Sequence, residues 1–484
     1  METKKQNKRK WIPISFTINI KSPFYTFILL QIIFFSIYAL INYLLFREGF
    51  IHPHLLFFGE KALLALRGVP PRLENIGFIY PPLPVFVAIL FNTNILITQS
   101  FISSLISAYI VFELIKKIKP AGFIFPLVIY MLLSFPILFL ATQRFDLYLY
   151  FFLIILSVKL LNSYMKNDYS LDLFLSGPFF GLTFFIHFNS IYLIPVFLII
   201  IFFLSRKNIK KFAVISLVFF TPYLIFLSIF AYINWVFTSE AFGFLRIYKM
   251  MFQNQNISAI IASENLFNSL IYMVKYLIYI SLIITPCILG IYYDRKLVSI
   301  VPFTIIFLLI YANLFSNTVY ASAVFIIYFL IMTEFEAKFK PMILSIVLLI
   351  SLVSSPVLAL VSEELQEKRF AMALYGKFNK DVEIYDKIVN ILHDKEGKIL
   401  LNDAIFYQAV YLMKRPERFI LPYQYEFTPA LANPASFADY VVALKNKDID
   451  IVFQRAENGI KNFYPIFENE KIIIYGKEQN KNVL

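Results

Sequence analysis

The chain has 484 residues, 59% of them hydrophobic and 15% charged, against about a quarter charged in an ordinary soluble domain. Apolar runs of about 20 residues recur, which excludes a simple soluble globule and predicts an integral membrane protein. The net charge of +13 predicts basic loops beside anionic lipid rather than a nucleic-acid partner. The single cysteine, Cys287, lies in an apolar run and excludes an internal disulfide or a cysteine-based metal cluster.

Residues 1–22 read as a basic cytoplasmic tail, because the apolar run after METKKQNKRK is too long for a cleaved signal. The first span covers 24–46. It is followed by a polar, proline-punctuated stretch, 47–86, holding two of the chain's four histidines. Within it 60–68 has helical character, with Ala62, Leu63 and Leu66 on an apolar stripe and Gly68 as a stop. Residues 80–92 are apolar but too short to cross, which predicts a half-helix starting at Pro81-Pro82. Ten further spans are predicted, at 98–115, 121–140, 147–163, 171–187, 189–205, 211–236, 266–290, 297–314, 318–333 and 341–361, for a total of about eleven. With the N-terminus inside, the inner segments carry 19 Lys and Arg and the outer loops 7, which favours that orientation. Residues 23–361 then form the transmembrane domain, with 47–86 as its first outer loop. The tail, 362–484, is of ordinary polarity and lies outside. It reads as a small α/β domain, with helices at 381–394 and 437–445 and short strands at 398–402, 449–453 and 471–475. The predicted fold class is an α-helical polytopic plasma (inner) membrane protein with an extracytoplasmic α/β domain.

Ionisable residues near spans are the functional candidates. Arg144 and Asp146 sit where the third span meets the fourth, on the side of the first outer loop. They are either a local ion pair or an anion site beside a carboxylate that positions a base or an acceptor hydroxyl. In the first loop, Glu60, Lys61, Arg67, Arg72 and Glu74 set carboxylates beside cations, which suits a reaction on a phosphate-linked donor. Glu48, against the end of the first span, is a second candidate base. Arg246 and Lys249 share a helical face and could clamp a phosphate, or belong to an amphipathic helix on the membrane. His54, Tyr80 and His187 could line an acceptor pocket. A lone histidine at the end of a span, as His187 is, reads first as a hydrogen-bonded structural residue. His52 and His54 with Glu60 could ligate a divalent metal.

Three stretches then carry a family resemblance. EKALLALRG, PPRLE and YPPL in the first loop, TQRFDLYLYFFLIILSVKLL at the fourth span, and LFLSGPFFGLTFFIHFNSIYLIPVFLII across the next pair are similar to the GT-C superfamily of polytopic glycosyltransferases. Protein mannosyltransferases and the lipid A aminoarabinose transferase belong to it. The resemblance implies a polyprenyl-phosphate-linked sugar as donor, membrane lipid around the site, a glycan, lipid or protein acceptor, and work on the extracytoplasmic face of the cell envelope. The family usually places an Asp, or Asp-Glu, shortly after the first span. Here that region holds His52, His54 and, further on, Glu60, with Glu48 nearer the span. The family's Lys in the paired-span motif is replaced by the region of His187 and Asn189. The resemblance gives the base role to Glu60 or Asp146, then Glu48. It gives the phosphate to Lys61, Arg67, Arg72, Arg144, Arg246 or Lys249. Outside this reading stand a polymerase, ligase or flippase for lipid-linked glycans, a transporter, which should carry mid-span charges, and a non-catalytic membrane scaffold.

Overall fold

The computed structural model describes residues 23–76, 80–117, 129, 132, 134–205, 208–245, 365–377, 384–457 and 459–478. The expected spans at 266–290, 297–314, 318–333 and 341–361, most of 121–140, and the pair Arg246 and Lys249 lie outside the described residues. What is described is mostly helical, with a small sheet near the C-terminus.

The helices are α1 (Pro23–Arg47), α2 (Pro53–Arg67), α3 (Leu83–Leu90), α4 (Ile95–Lys117), α5 (Phe135–Gln143), α6 (Phe145–Asn167), α7 (Ser170–Phe184), α8 (Ile194–Leu204) and α9 (Ile209–Thr238). Three of them, α1, α4 and α9, are long and apolar enough to cross a membrane. The 25 residues of α1 extend about 37 Å, more than the roughly 30 Å of a hydrocarbon core. The stretch expected as a half-helix holds a short helix, α3, with Pro82 as its N-cap. The predicted 189–205 span differs: a 3₁₀ turn, Phe188–Leu193, precedes an α8 of 11 residues, about 16 Å long.

Close helix approach is built on glycine. Gly177 and Gly181 are one turn apart on α7 and face α9. A Cβ on Gly177 would sit 2.7 Å from the Phe219 carbonyl oxygen, and one on Gly181 2.8 Å from the Phe226 ring. Small residues at this spacing let two backbones meet. Polar bonds stitch the bundle elsewhere. The hydroxyls of Tyr38 and Tyr148 both bond Ser107, at 2.9 and 2.8 Å, and Asn42 donates to Ser100 at 2.8 Å. At the far ends of α4 and α6, Lys159 bonds Glu113 at 2.5 Å.

The C-terminal part begins with α10 (Leu365–Leu374) and α11 (Ile384–Leu392). There follow β1 (Ile399–Leu400), α12 (Asp403–Met413), β2 (Phe419–Ile420), α13 (Phe427–Ala432), α14 (Pro434–Phe437), β3 (Tyr440–Leu444), α15 (Ile451–Ala456), β4 (Phe463–Glu468) and β5 (Ile472–Lys477). The sheet order is β2-β1-β3-β5-β4, with β1 parallel to β2 and β3, and β5 antiparallel to β3 and β4. Alternate residues feed two cores. Ile399, Val442, Ile472 and Ile474 pack with α11 and α12, while Leu400, Val441, Ala443 and Ile473 pack with α13 and α15. This is the period-2 pattern of a sheet covered on both faces.

Two sequence expectations are corrected here. Residues 437–445, expected as a helix, contain β3. Residues 449–453, expected as a strand, enter α15. In β3 the run YVVAL is buried on both faces, and a short continuous apolar run carries no periodicity to separate strand from helix. In α15 the deciding residue is Asp450. Its carboxylate accepts from Val452 N at 3.0 Å as an N-cap and from Leu444 N at 2.7 Å. The expected helix at 381–394 is present as α11, and the expected strands at 398–402 and 471–475 as β1 and β5.

Gly181→Leu forces α7 from α9 and should destabilise the protein by about 1–3 kcal/mol, read as a lowered thermal midpoint in detergent.

Candidate functional site

Two buried polar clusters lie at the end of the bundle where α2 sits. The first forms around the break between α5 and α6. Gln99 of α4 holds that break: its amide donates to the carbonyls of Leu140 and Ala141 at 2.9 and 2.7 Å, and its oxygen accepts from Phe145 N at 3.0 Å. Arg144 caps both helices at this point. Its side chain meets Asp146 in a fork, Nε to Oδ1 at 3.0 Å and Nη2 to Oδ2 at 2.9 Å. Both residues are only 3% exposed. A bidentate guanidinium–carboxylate contact is the strongest geometry available to such a pair.

α2 brings histidines to this pair. His52 is the N-cap; its ring Nδ1 accepts from His54 N at 3.2 Å, and its own N–H donates to Gln143 at 2.9 Å. The His52 and His54 rings are 5.2 Å apart. Burial, and then the Arg144 charge, push the His54 pKa down to about 3, against the opposing pull of Asp146. His54 is therefore a neutral hydrogen-bonding group at ordinary pH. His187 follows α7, with its ring 5.7 Å from Tyr150 of α6. Residues from the first loop, the α5–α6 break and the end of α7 thus converge.

The second cluster is on another face of α2. Glu60 lies six positions after His54, which turns their side chains roughly 120° apart on a helix. Glu60 is fully buried, and among the described residues its carboxylate oxygens accept no well-formed hydrogen bond. Lys61 bridges it at 3.3 Å to Asp403, at 2.7 Å, the first residue of α12. Burial pushes the Glu60 carboxyl up to about 8, the Asp403 charge adds to the rise, and Lys61 opposes it. Burial disfavours the Lys61 ammonium, but Asp403 and Glu60 outweigh it and hold its pKa above the usual lysine range. Tyr80 completes the surround. It packs edge-on to Phe57 at 4.5 Å, with Lys61 Nζ 6.0 Å from its ring.

Close packing makes this contact between loop and domain. α2 is buried from Leu55 to Ala65, Glu60 and Lys61 included, while Leu66, expected on the apolar stripe, is 40% exposed. A Cβ on Gly59 would lie 2.5 Å from the Tyr411 ring of α12. The Tyr411 hydroxyl donates to Thr93 O at 2.8 Å, and Leu64 joins the core of the sheet domain.

The other expected site residues lie apart. Glu48 sits in the turn closing α1, its N–H bonded to Leu44 O at 3.0 Å. Arg67 donates to Asn92 at 3.3 Å on the surface. Arg72 stacks 5.7 Å from the exposed Tyr425 ring, which joins the aromatic stretch 422–427 to the first loop. The expected set His52, His54 and Glu60 is not assembled. Among the described residues no group of three or more His, Cys, Asp or Glu is placed to hold a metal. Sequence reasoning missed Asp403 and Lys414. The signal for Asp403 was Asn402 before it, an N-cap whose side chain accepts from Ala404 N at 3.1 Å. Burial and the Arg67 charge lower the Lys414 pKa to about 7. No family model and no curated protein matches the sequence.

The Glu60 carboxyl is raised in the folded state, so the native protein holds a proton there that the unfolded chain releases above its ordinary carboxylate pKa. Its contribution to stability is therefore lost as pH rises from about 4.5 toward 8, at up to about 1.4 kcal/mol per pH unit. Glu60→Gln should match the wild type at pH 5 and exceed its thermal midpoint at pH 8. A variant less stable at pH 8 would show that Glu60 is ionised in the native protein.

Proposed function

We propose that this protein is a polytopic membrane glycosyltransferase of the GT-C kind, acting on a sugar carried by a polyprenyl phosphate. The observation that carries the reading is the buried Arg144–Asp146 fork at a helix break. Beside it stand His54 of the first loop helix, its ring 5.2 Å from that of His52, whose N–H bonds Gln143 next to Arg144, and His187, 5.7 Å from Tyr150 of the helix that carries Asp146. Buried charge at the end of long apolar helices is costly unless it serves a site. A donor with a lipid tail and a phosphate head would lie along the apolar helices and present its head there.

In this mechanism an acceptor hydroxyl attacks the sugar C1 while the bond from C1 to the phosphate oxygen breaks. The configuration inverts and polyprenyl phosphate leaves. Asp146 takes the hydroxyl proton, and the Arg144 guanidinium, whose remaining N–H groups carry no described hydrogen bond, meets the leaving phosphate oxygens. Neutral His54 orients the acceptor. The Glu60–Lys61–Asp403 cluster holds the C-terminal domain over the first loop. The same reading includes eleven spans, a cytoplasmic N-terminus and an extracytoplasmic sheet domain.

The test is transfer from radiolabelled polyprenyl-phosphate sugars by the purified full-length protein in lipid. Wild type should release polyprenyl phosphate. Asp146→Asn should lose about 100-fold or more, and Glu60→Gln should stay within about threefold at pH 7. If no donor is cleaved by wild type, the reading fails. If Glu60→Gln is the inactive variant, the base is Glu60 and the roles of the two clusters exchange.

A further inference from the structure

The sheet domain has two faces, and among the described residues one meets the bundle. The face bearing α11 and α12 receives Leu64 of α2. The opposite face, under α13 and α15, opens into a cavity of about 770 Å³, within the range of small-molecule sites. Its floor is aliphatic: Leu400 of β1, Val441 of β3 and Val452 of α15, all buried. Its rim carries three cations, Arg455 in the last turn of α15, Lys461 before β4 and Lys477 at the end of β5. Among the described residues no carboxylate lines the cavity. Among the described residues none of the three cations makes an ion pair, although Lys445 and Lys447 of the same domain are paired with Glu468 and Glu457. Three like charges around one hollow repel each other, and an anion at the centre would relieve that repulsion. The rest of the rim is neutral and hydrogen-bonding, with Asn433, Ser436 and Asn462.

We propose that this cavity binds an anionic saccharide, a sugar bearing a phosphate or a carboxylate. Each part of the lining selects one part of that ligand. The cations take the anionic group, since charge-assisted bonds are the strong ones. The amides and the hydroxyl match sugar hydroxyls. The aliphatic floor takes the C–H face of the ring. The volume accommodates more than one ring, which distinguishes the cavity from a bare anion site. The inference does not depend on the catalytic reading, because the cavity shares no residue with either buried cluster.

The test uses full-length protein in phosphatidylcholine nanodiscs, with glucose 6-phosphate, glucuronate, glucose and inorganic phosphate as probes, followed by calorimetry and saturation-transfer NMR. Glucose 6-phosphate and glucuronate should bind, and glucose at least about tenfold more weakly. Arg455→Gln and Lys461→Gln, both at exposed positions, should each weaken the anionic sugars about tenfold. Sugar ring protons should show saturation transfer. Equal binding of glucose, or unchanged affinity in both variants, would overturn the proposal. So would inorganic phosphate binding as tightly as glucose 6-phosphate, which would mark a bare anion site. Absence of binding by any probe at about 10 mM would overturn it too.

Discussion

The buried ammonium of Lys61 is the contact on which the assembly of loop and domain depends. A buried charge without a partner costs several kcal/mol, and Lys61 has little access to water. One partner, Glu60, precedes it in the chain. The other, Asp403, is 342 residues away, at 2.7 Å. Lys61 in its buried position therefore requires the C-terminal domain docked on α2, since a protonated Glu60 alone does not balance its charge. Apolar packing supplies the area of the contact, through Gly59 against Tyr411 and Leu64 in the sheet core. The ion pair supplies its register, which apolar area alone sets poorly.

A different device supports the Arg144–Asp146 pair. It stands where the backbone stops being helical for one residue, and Gln99 satisfies both sides of that break. Gln143 does the same for the approach of α2 by accepting from His52 N. Two glutamines thus fix the relative positions of three segments whose charged or imidazole side chains meet. In apolar surroundings such amides are costly unless every group is bonded, so the positions of these segments are coupled rather than independently adjustable.

Much of this was legible in the sequence, and the limits have physical reasons. The runs that became α1, α4 and α9 are long enough that only a helix satisfies their backbone in lipid. The YPPL half-helix followed from its length and its prolines. Arg144 and Asp146 were readable as neighbours because they are two residues apart. In the sheet domain the periodic signal failed where burial is two-sided, as in β3, and Asp450, a visible N-cap, was passed over. The partner of Lys61 could not be read at all, because only tertiary docking brings α12 to α2. The same docking buried Glu60, which sequence alone placed on a helix of the first outer loop.

The single-residue break at Arg144 has an electrostatic consequence. The carboxyl end of α5 and the amino end of α6 meet there, so a partial negative and a partial positive helix pole lie side by side. Arg144 closes α5 and Asp146 lies in the first turn of α6, so each charge stands at the pole that favours it. The pair is therefore polarised by the backbone as well as by its own attraction. Exchanging the two residues would keep the ion pair and place both charges against the wrong poles, so the direction of the pair is as much a part of the fold as its presence.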